Sequence, residues 1–341
     1  MRAADTSRLS GTAAHDETRL VKLLLHTPFA GPVAFQLLAD DRGYLRREGL
    51  RVEFTEGAGA AGIVPQVRSP QFDAGYGDMT ALIEAIATSA ADSGPVAIYV
   101  TFNTVPFTVA VPVDGEVRIP ADFEGRAISG YPVDAALQTF DMFAHATGID
   151  PTRVDVIKSP QTMEAQIAGM LDGNGVAGVF GFVNTIIAKA ASVGIDGNRK
   201  LKFFRYADYL PDMYGNGLFV TRQFYERERP ALTGLVRAFN DALRDTVDDP
   251  DAAIDSLMRR APKALREVDR ARLIGTLRDD MGHADLSRLG IGDVDDSRLA
   301  RMIDLVVASK GLPRTPSVSE VFDRTFLPPQ AERIRDVSSV T

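Results

Sequence analysis

Apolar residues along this chain follow two rhythms. Short continuous runs at 19–25, 51–54, 72–76 and 96–100 read as buried strands. Between them apolar positions return every three or four residues. Phe35, Leu38 and Tyr44/Leu45 mark a helix over 34–47, and Met79, Leu82, Ile83 and Ile86 mark another. Glycines punctuate the changes, with Gly49 ending the first helix and a glycine-rich turn at 57–62. This alternation of strand and helix predicts a mainly parallel α/β sheet.

A second series starts after Val100. Residues 101–107 read as a crossover, followed by strands at 108–111, 126–129, 154–157, 176–180 and 201–205. The helix between the second and third of these carries an apolar stripe of Val133, Ala136, Leu137, Phe140, Phe143 and Ala144. Further helices are predicted over 162–171 and 185–193. Residues 217–221 form a return strand. From Gln223 the pattern is helical, over 230–247, 251–260, 270–280 and 296–310, and the tail from Pro313 is expected to drape over the first lobe. The organisation predicted is a leader over 1–17, a first lobe built from 18–102 and 221–341, and a second lobe over 103–220, with a double crossover as hinge.

Three strand–glycine–helix turns, at 72–86, 130–134 and 181–184, repeat one design. A strand ends, glycine removes the side chain above it, and the following helix offers free N–H groups. Ligands of open α/β sheets sit outside the carboxyl ends of the strands, so these turns predict two jaws of a cleft. The candidate ligand contacts are His26, Thr27, Gly57, Tyr76, Gly77, Asp78, Phe102, Asn103, Tyr131, Pro132, Phe180, Phe182, Asn184 and Tyr206. Asp78 has two readings, a helix N-cap or a carboxylate accepting from a ligand N–H. Tyr76, Phe102, Tyr131, Phe180, Phe182 and Tyr206 are either core or rings that stack on a flat ligand. Asn103 and Asn184 serve equally as turn or cap residues. His26 is a solvent-facing or capping residue, a ligand contact or, in an enzyme, a base.

Composition narrows the chemistry. The 341 residues include 45% hydrophobic and 25% charged residues, the balance of a globular protein with a sizeable core. A net charge of −8 argues against nucleic acid or an anionic membrane as partner. With no cysteine there is no disulfide, thiolate site or cysteine nucleophile, and the four histidines lack metal-ligand spacing. Neither a cofactor nor a metal is expected. No apolar run approaches the roughly 20 residues of a membrane span. Residues 1–17 lack the apolar core of a signal peptide. The expected location is extracytoplasmic if a signal segment was removed, and cytoplasmic if Met1 is native.

Several segments resemble one family. GYLRREGLRVE at 43–53, DAGYGD at 73–78 and AHATGID at 144–150 are similar to segments of the solute-binding proteins that serve ABC importers of thiamine pyrimidine precursors, sulfonates and nitrate, a superfamily that includes thiamine pyrimidine synthase. The resemblance runs from Leu20 to Val247 and weakens beyond. It implies a two-lobed periplasmic-binding-protein fold of type II, each lobe a mainly parallel sheet flanked by helices. It also implies hinge closure on a small molecule, an ABC permease as partner, and a monomer. Enzymes of the superfamily use a histidine after the first strand with a cysteine-rich motif, or a cysteine in that loop. Here Val33 stands near the former position and His26-Thr27 at the latter, so neither chemistry carries over intact. The leading expectation is therefore solute capture. A lyase, hydrolase or pyrimidine-synthase-like enzyme with His26 as base is the alternative. Because the glycine turns hold little Arg or Lys, the expected ligand is a neutral or mildly polar heteroaromatic such as a pyrimidine.

Overall fold

The computed structural model describes residues 18–341, and the leader expected over 1–17 lies outside the described residues. Among the described residues, ten strands form two five-stranded sheets. The first contains β1 (Arg19–Leu24), β2 (Leu50–Thr55), β3 (Ala74–Asp78), β4 (Val96–Val100) and β10 (Asn216–Val220), in the order β2-β1-β3-β10-β4. The second contains β5 (Phe107–Pro112), β6 (Ala127–Gly130), β7 (Asp155–Lys158), β8 (Val176–Phe182) and β9 (Leu201–Arg205), in the order β7-β6-β8-β5-β9. The two orders are equivalent. In each sheet the fourth strand, β10 or β5, is antiparallel to both neighbours. It is the strand that enters directly from the other sheet, so the double crossover itself supplies the reversed strand. Because β10 pairs with β3 and β4, residues 216–220 belong with the first sheet rather than with the second lobe to which the sequence division assigns them.

The strands form where apolar residues run continuously. In β4 and β10 every residue is buried, as expected of strands covered on both faces. Helices Ala34–Asp41, Arg229–Asp248, Pro250–Arg260 and Arg266–Gly275 share one apolar cluster with the first sheet, including Phe35, Phe239, Leu257 and Leu273. The chain after Pro313 lies along this body. Phe322 bridges to Ala97, Phe326 packs on Tyr225, and Ile334, Val337 and Val340 are buried.

The helix Arg266–Gly275 continues without a break into a π-helical turn, Thr276–Asp280. It contacts both bodies. At its start it lies on the loop after β1, where a Cβ at Gly31 would fall 2.3 Å from the Asp269 carbonyl oxygen. The Asp269 carboxylate accepts from the Gly31 N–H at 3.0 Å. At its end it meets the second-sheet helix Val183–Ser192 just as closely, since a Cβ at Gly275 would lie 2.2 Å from Asn184 Oδ1. Two glycines therefore allow one helix to touch the first-lobe loop and the second-lobe helix together.

Candidate functional site

The carboxyl ends of the parallel strands of both sheets face one another across a cavity of about 420 Å³. His26, Thr27 and Pro28 reach it from the loop after β1, and Ala58, Gly59 and Ala60 from the loop after β2. Tyr131, Asp134 and Ala135 follow β6, while Thr162, Met163 and Glu164 follow β7. Phe182 ends β8, and Thr185 and Lys189 stand on the helix behind it. Arg272 closes the cavity from the helix Arg266–Gly275. A larger surface hollow of about 650 Å³ lies at the opposite, amino ends of the first sheet's parallel strands, around Arg19, Asp73 and Pro95. It is remote from the strand ends where α/β sheets bind ligands.

Four of the sequence candidates come together here: His26, Thr27, Tyr131 and Phe182. Tyr131 is 40% exposed at the rim. Phe182 is half-buried and packs against Phe107, with ring centroids 5.3 Å apart. His26 is 4% exposed, its ring 5.3 Å from Tyr76 and 6.3 Å from Phe102, and its Nδ1 meets no partner among the described residues. Burial, with a smaller push from the Arg272 charge, lowers its pKa to about 3. The imidazole is therefore neutral at physiological pH.

Other candidates are placed elsewhere. Tyr76, Phe102, Phe180 and Tyr206 are fully buried core residues and do not line the cavity. The Tyr76 hydroxyl pairs with Thr101 Oγ1 at 2.6 Å. Tyr206 donates to the Ala136 carbonyl at 2.8 Å and stacks on Phe143 at 4.5 Å. Phe180 packs edge-on to Phe140. These side chains point along the sheet faces into apolar layers, which corrects the expectation that they stack on a ligand. Gly57 and Gly77 lie beneath the cavity's wall, where a Cβ would strike the Leu25 carbonyl at 1.9 Å and approach the Ala60 carbonyl at 2.9 Å. Pro132 lines an adjoining hollow of about 320 Å³ that shares Ala58, Gly59 and Tyr131 with the cavity.

Asp78 is the N-cap of Met79–Ala87, accepting from Ala81 N–H at 2.9 Å, and burial raises its pKa to about 6. It lines a second hollow of about 340 Å³ with Lys310 and Gln138. Asn103 donates to the Met281 carbonyl at 3.1 Å. Asn184 donates to both carboxylate oxygens of Asp280, at 3.3 and 3.4 Å.

Arg272 is one of the lining residues that sequence reasoning missed. It sits in the region where the family resemblance fades. One signal was available: Arg272, Thr276 and Asp280 recur every four residues beside Leu273 and Leu277, on a stripe that should be apolar. All three are buried. Lys189 was also overlooked, and it is paired with Glu164 at 2.8 Å. Among the described residues no cluster of His, Asp or Glu is arranged to hold a metal ion.

No curated protein matches the sequence. Solved structures match its fold over most of its length. The alkanesulfonate-binding protein SsuA of Xanthomonas axonopodis pv. citri, bound to MOPS, superposes with a TM-score of 0.67 at 15% identity, covering 90% of this chain and 98% of that one. The periplasmic aliphatic sulphonate binding protein SsuA of Escherichia coli gives 0.66 at 15% identity, with 91% and 94% covered. The desulfurization enzyme DSZB gives 0.57 at 14% identity, with 90% and 97% covered. These likenesses establish the two-lobed periplasmic-binding-protein fold. The sequence model of one family matches residues 32–253, well over half of the chain, and the protein accordingly belongs to the NMT1/THI5-like family.

Proposed function

We propose that this protein is the solute-capturing component of an ABC importer, acting outside the cytoplasm and passing its ligand to a permease. One observation carries the reading: a cavity of small-molecule size is lined from both sheets at their strand ends. Closure by hinge motion would bury a ligand there, with residues 18–102 and 216–341 moving against 103–215. The ligand would be small, with a flat apolar or aromatic body. Tyr131 at the rim and Phe182 on the far wall offer ring faces. His26 and Thr27 contribute polar contacts or shape the wall. Relatives of the fold that bind sulfonates favour solute capture.

The enzymatic alternative needs His26 as a base. A histidine whose protonated form has a pKa of about 3 is a weak base at neutral pH.

Native mass spectrometry of the purified protein, followed by a thermal-shift screen of pyrimidines, aromatic acids and sulfonates, tests the reading. One ligand per chain, recovered unchanged, is expected. Tyr131→Ala should weaken that binding by about 1–3 kcal/mol if the ring is a stacking anchor. Turnover of a bound compound that disappears in His26→Ala would replace the importer reading with the enzyme.

A further inference from the structure

A buried charge without a partner is expensive, and the cleft contains one. Arg272 is 8% exposed. Its Nη2 donates to Thr185 Oγ1 at 2.8 Å, while its Nε meets no acceptor among the described residues. Asp269 and Asp280 are near enough to favour its charge, but neither accepts a hydrogen bond from it among the described residues. Burial lowers the guanidinium's pKa, yet an arginine remains charged at neutral pH.

The facing wall is complementary to the same kind of ligand. The ten-residue helix Val183–Ser192 starts without a side-chain cap. The Val183 N–H is taken by the Pro106 carbonyl at 3.1 Å. The N–H groups of Asn184 and Thr185 have no acceptor within the helix, and this end of the helix favours negative charge. The remaining charges of the cavity are already engaged. Lys189 is paired with Glu164 at 2.8 Å. Asp134 caps its own helix through the N–H groups of Ala136 and Leu137, at 2.9 and 3.2 Å. His26 is neutral.

We propose that the cleft ligand is an organic monoanion whose single oxyanion group is held between Arg272 and the first turn of Val183–Ser192, with its apolar body along Tyr131, Phe182 and Met163. The inference rests on the solute-capture reading and names the class of solute. It replaces the neutral heteroaromatic expected from the glycine turns, which could not register a cation arriving from a distant helix. A dianion is disfavoured, because its second charge would face Glu164 and Asp134 with no free cation beside them among the described residues. Thr185 is a positioning residue. It belongs to the second-sheet body and orients an arginine carried by the first, so the anion site is complete only when the two bodies meet. Anion binding therefore favours the closed form.

Titration calorimetry with probes of one shape tests this: benzoate and benzenesulfonate as monoanions, benzamide as the neutral analogue, phenyl phosphate at pH 8 as the dianion. The monoanions are expected to bind at least tenfold more tightly than benzamide or phenyl phosphate. Arg272→Gln should remove that preference while the ligand-free protein melts no earlier, because an uncompensated buried charge has been deleted. Thr185→Val should weaken monoanion binding several-fold and leave benzamide unaffected, with Thr185→Ser restoring the wild-type value. Equal affinity for benzoate and benzamide, or undiminished benzoate binding in both variants, overturns the anion site and leaves solute capture standing. Failure of every probe, charged or neutral, to bind the wild-type protein would remove the aromatic-solute reading together with the inference.

Discussion

Asp280 shows how one side chain beneath the cleft couples to pH. Burial is the main cause that raises its carboxyl pKa to about 7; the nearby Asp279 adds to the rise, while Asn184, Thr276 and Arg272 oppose it. In the unfolded chain the group has its ordinary value of 3.8. Between these two values the folded protein holds a proton that the unfolded chain has released. Its contribution to stability is complete below the unfolded pKa and is lost as pH rises through the folded one. An amide at this position does not titrate. Asp280→Asn should therefore be more stable relative to wild type at pH 8 than at pH 4, by on the order of 3 kcal/mol. Urea unfolding at the two pH values measures the difference. An equal gap at both would mean that the native carboxylate is ionised throughout. His26 works in the opposite direction, since its lowered pKa removes stability as pH falls below the ordinary imidazole range. Part of this site was legible from residue type and position. His26, Thr27, Tyr131 and Phe182 follow strand ends, and strand ends are where α/β sheets place ligands. Tyr76, Phe102, Phe180 and Tyr206 occupy equivalent positions in the sequence, yet each ring turns into the core. Hydrophobicity alone does not distinguish a ring that faces a cleft from one that faces a packed layer.

At the scale of elements, the contact between Arg266–Gly275 and Val183–Ser192 carries the site from one sheet to the other. It depends on Gly275, where the helices approach too closely for a side chain. Alanine fits the helical backbone there and raises intrinsic helix propensity by about 1 kcal/mol. Its Cβ would nevertheless lie 2.2 Å from Asn184 Oδ1. Asn184 would have to leave Asp280, and the two helices would separate. Gly275→Ala is thus expected to lower the unfolding free energy by about 1–3 kcal/mol while lowering monoanion affinity. It should also enlarge the radius of gyration of the ligand-saturated protein in small-angle scattering. Wild-type affinity with an unchanged radius would show that this contact does not govern closure. Strands and helices were readable because each carries its own periodicity; β4, β9 and the helix Asp296–Lys310 match their predicted bounds. Pairing was not readable. Nothing in the apolar run at 216–220 says that it enters the first sheet between β3 and β4, because strand periodicity is the same for either partner. For the same reason no local pattern connects Arg272 to the loop that contains His26.

The whole molecule turns on two crossovers, and one arginine holds both. Arg298, on the helix Asp296–Lys310, is buried. Its Nη2 donates to the Asn103 carbonyl at 2.5 Å and to the Met213 carbonyl at 3.0 Å, and its guanidinium lies 4.0 Å from the Tyr214 ring centroid. Residues 103 and 213 belong to the outgoing and returning crossovers. The outgoing segment is also tied to the chain after Arg272: Thr104 N–H donates to the Asp280 carbonyl at 2.9 Å, and Thr104 Oγ1 donates to the Gly282 carbonyl at 2.7 Å. The two crossovers and the chain that carries Arg272 therefore share a framework built by the C-terminal third of the chain. Replacing Arg298 by methionine would keep much of the packing but leave two buried carbonyls without their donor. The expected cost is about 2–4 kcal/mol. Faster hydrogen exchange should follow at Thr104, whose N–H donates across to Asp280, and at Gly215, whose N–H donates to the Phe102 carbonyl. Arg301 is the control. It stands one turn further along the same helix and pairs with Asp212 at 2.7 Å, but its side chain is largely exposed. Such a pair is worth roughly 0–1 kcal/mol. Arg301→Ala should leave exchange in the crossovers unchanged. If both variants lose the same stability and loosen the same amides, the helix as a whole steadies the hinge. If only Arg298→Met does, the buried guanidinium is the clamp.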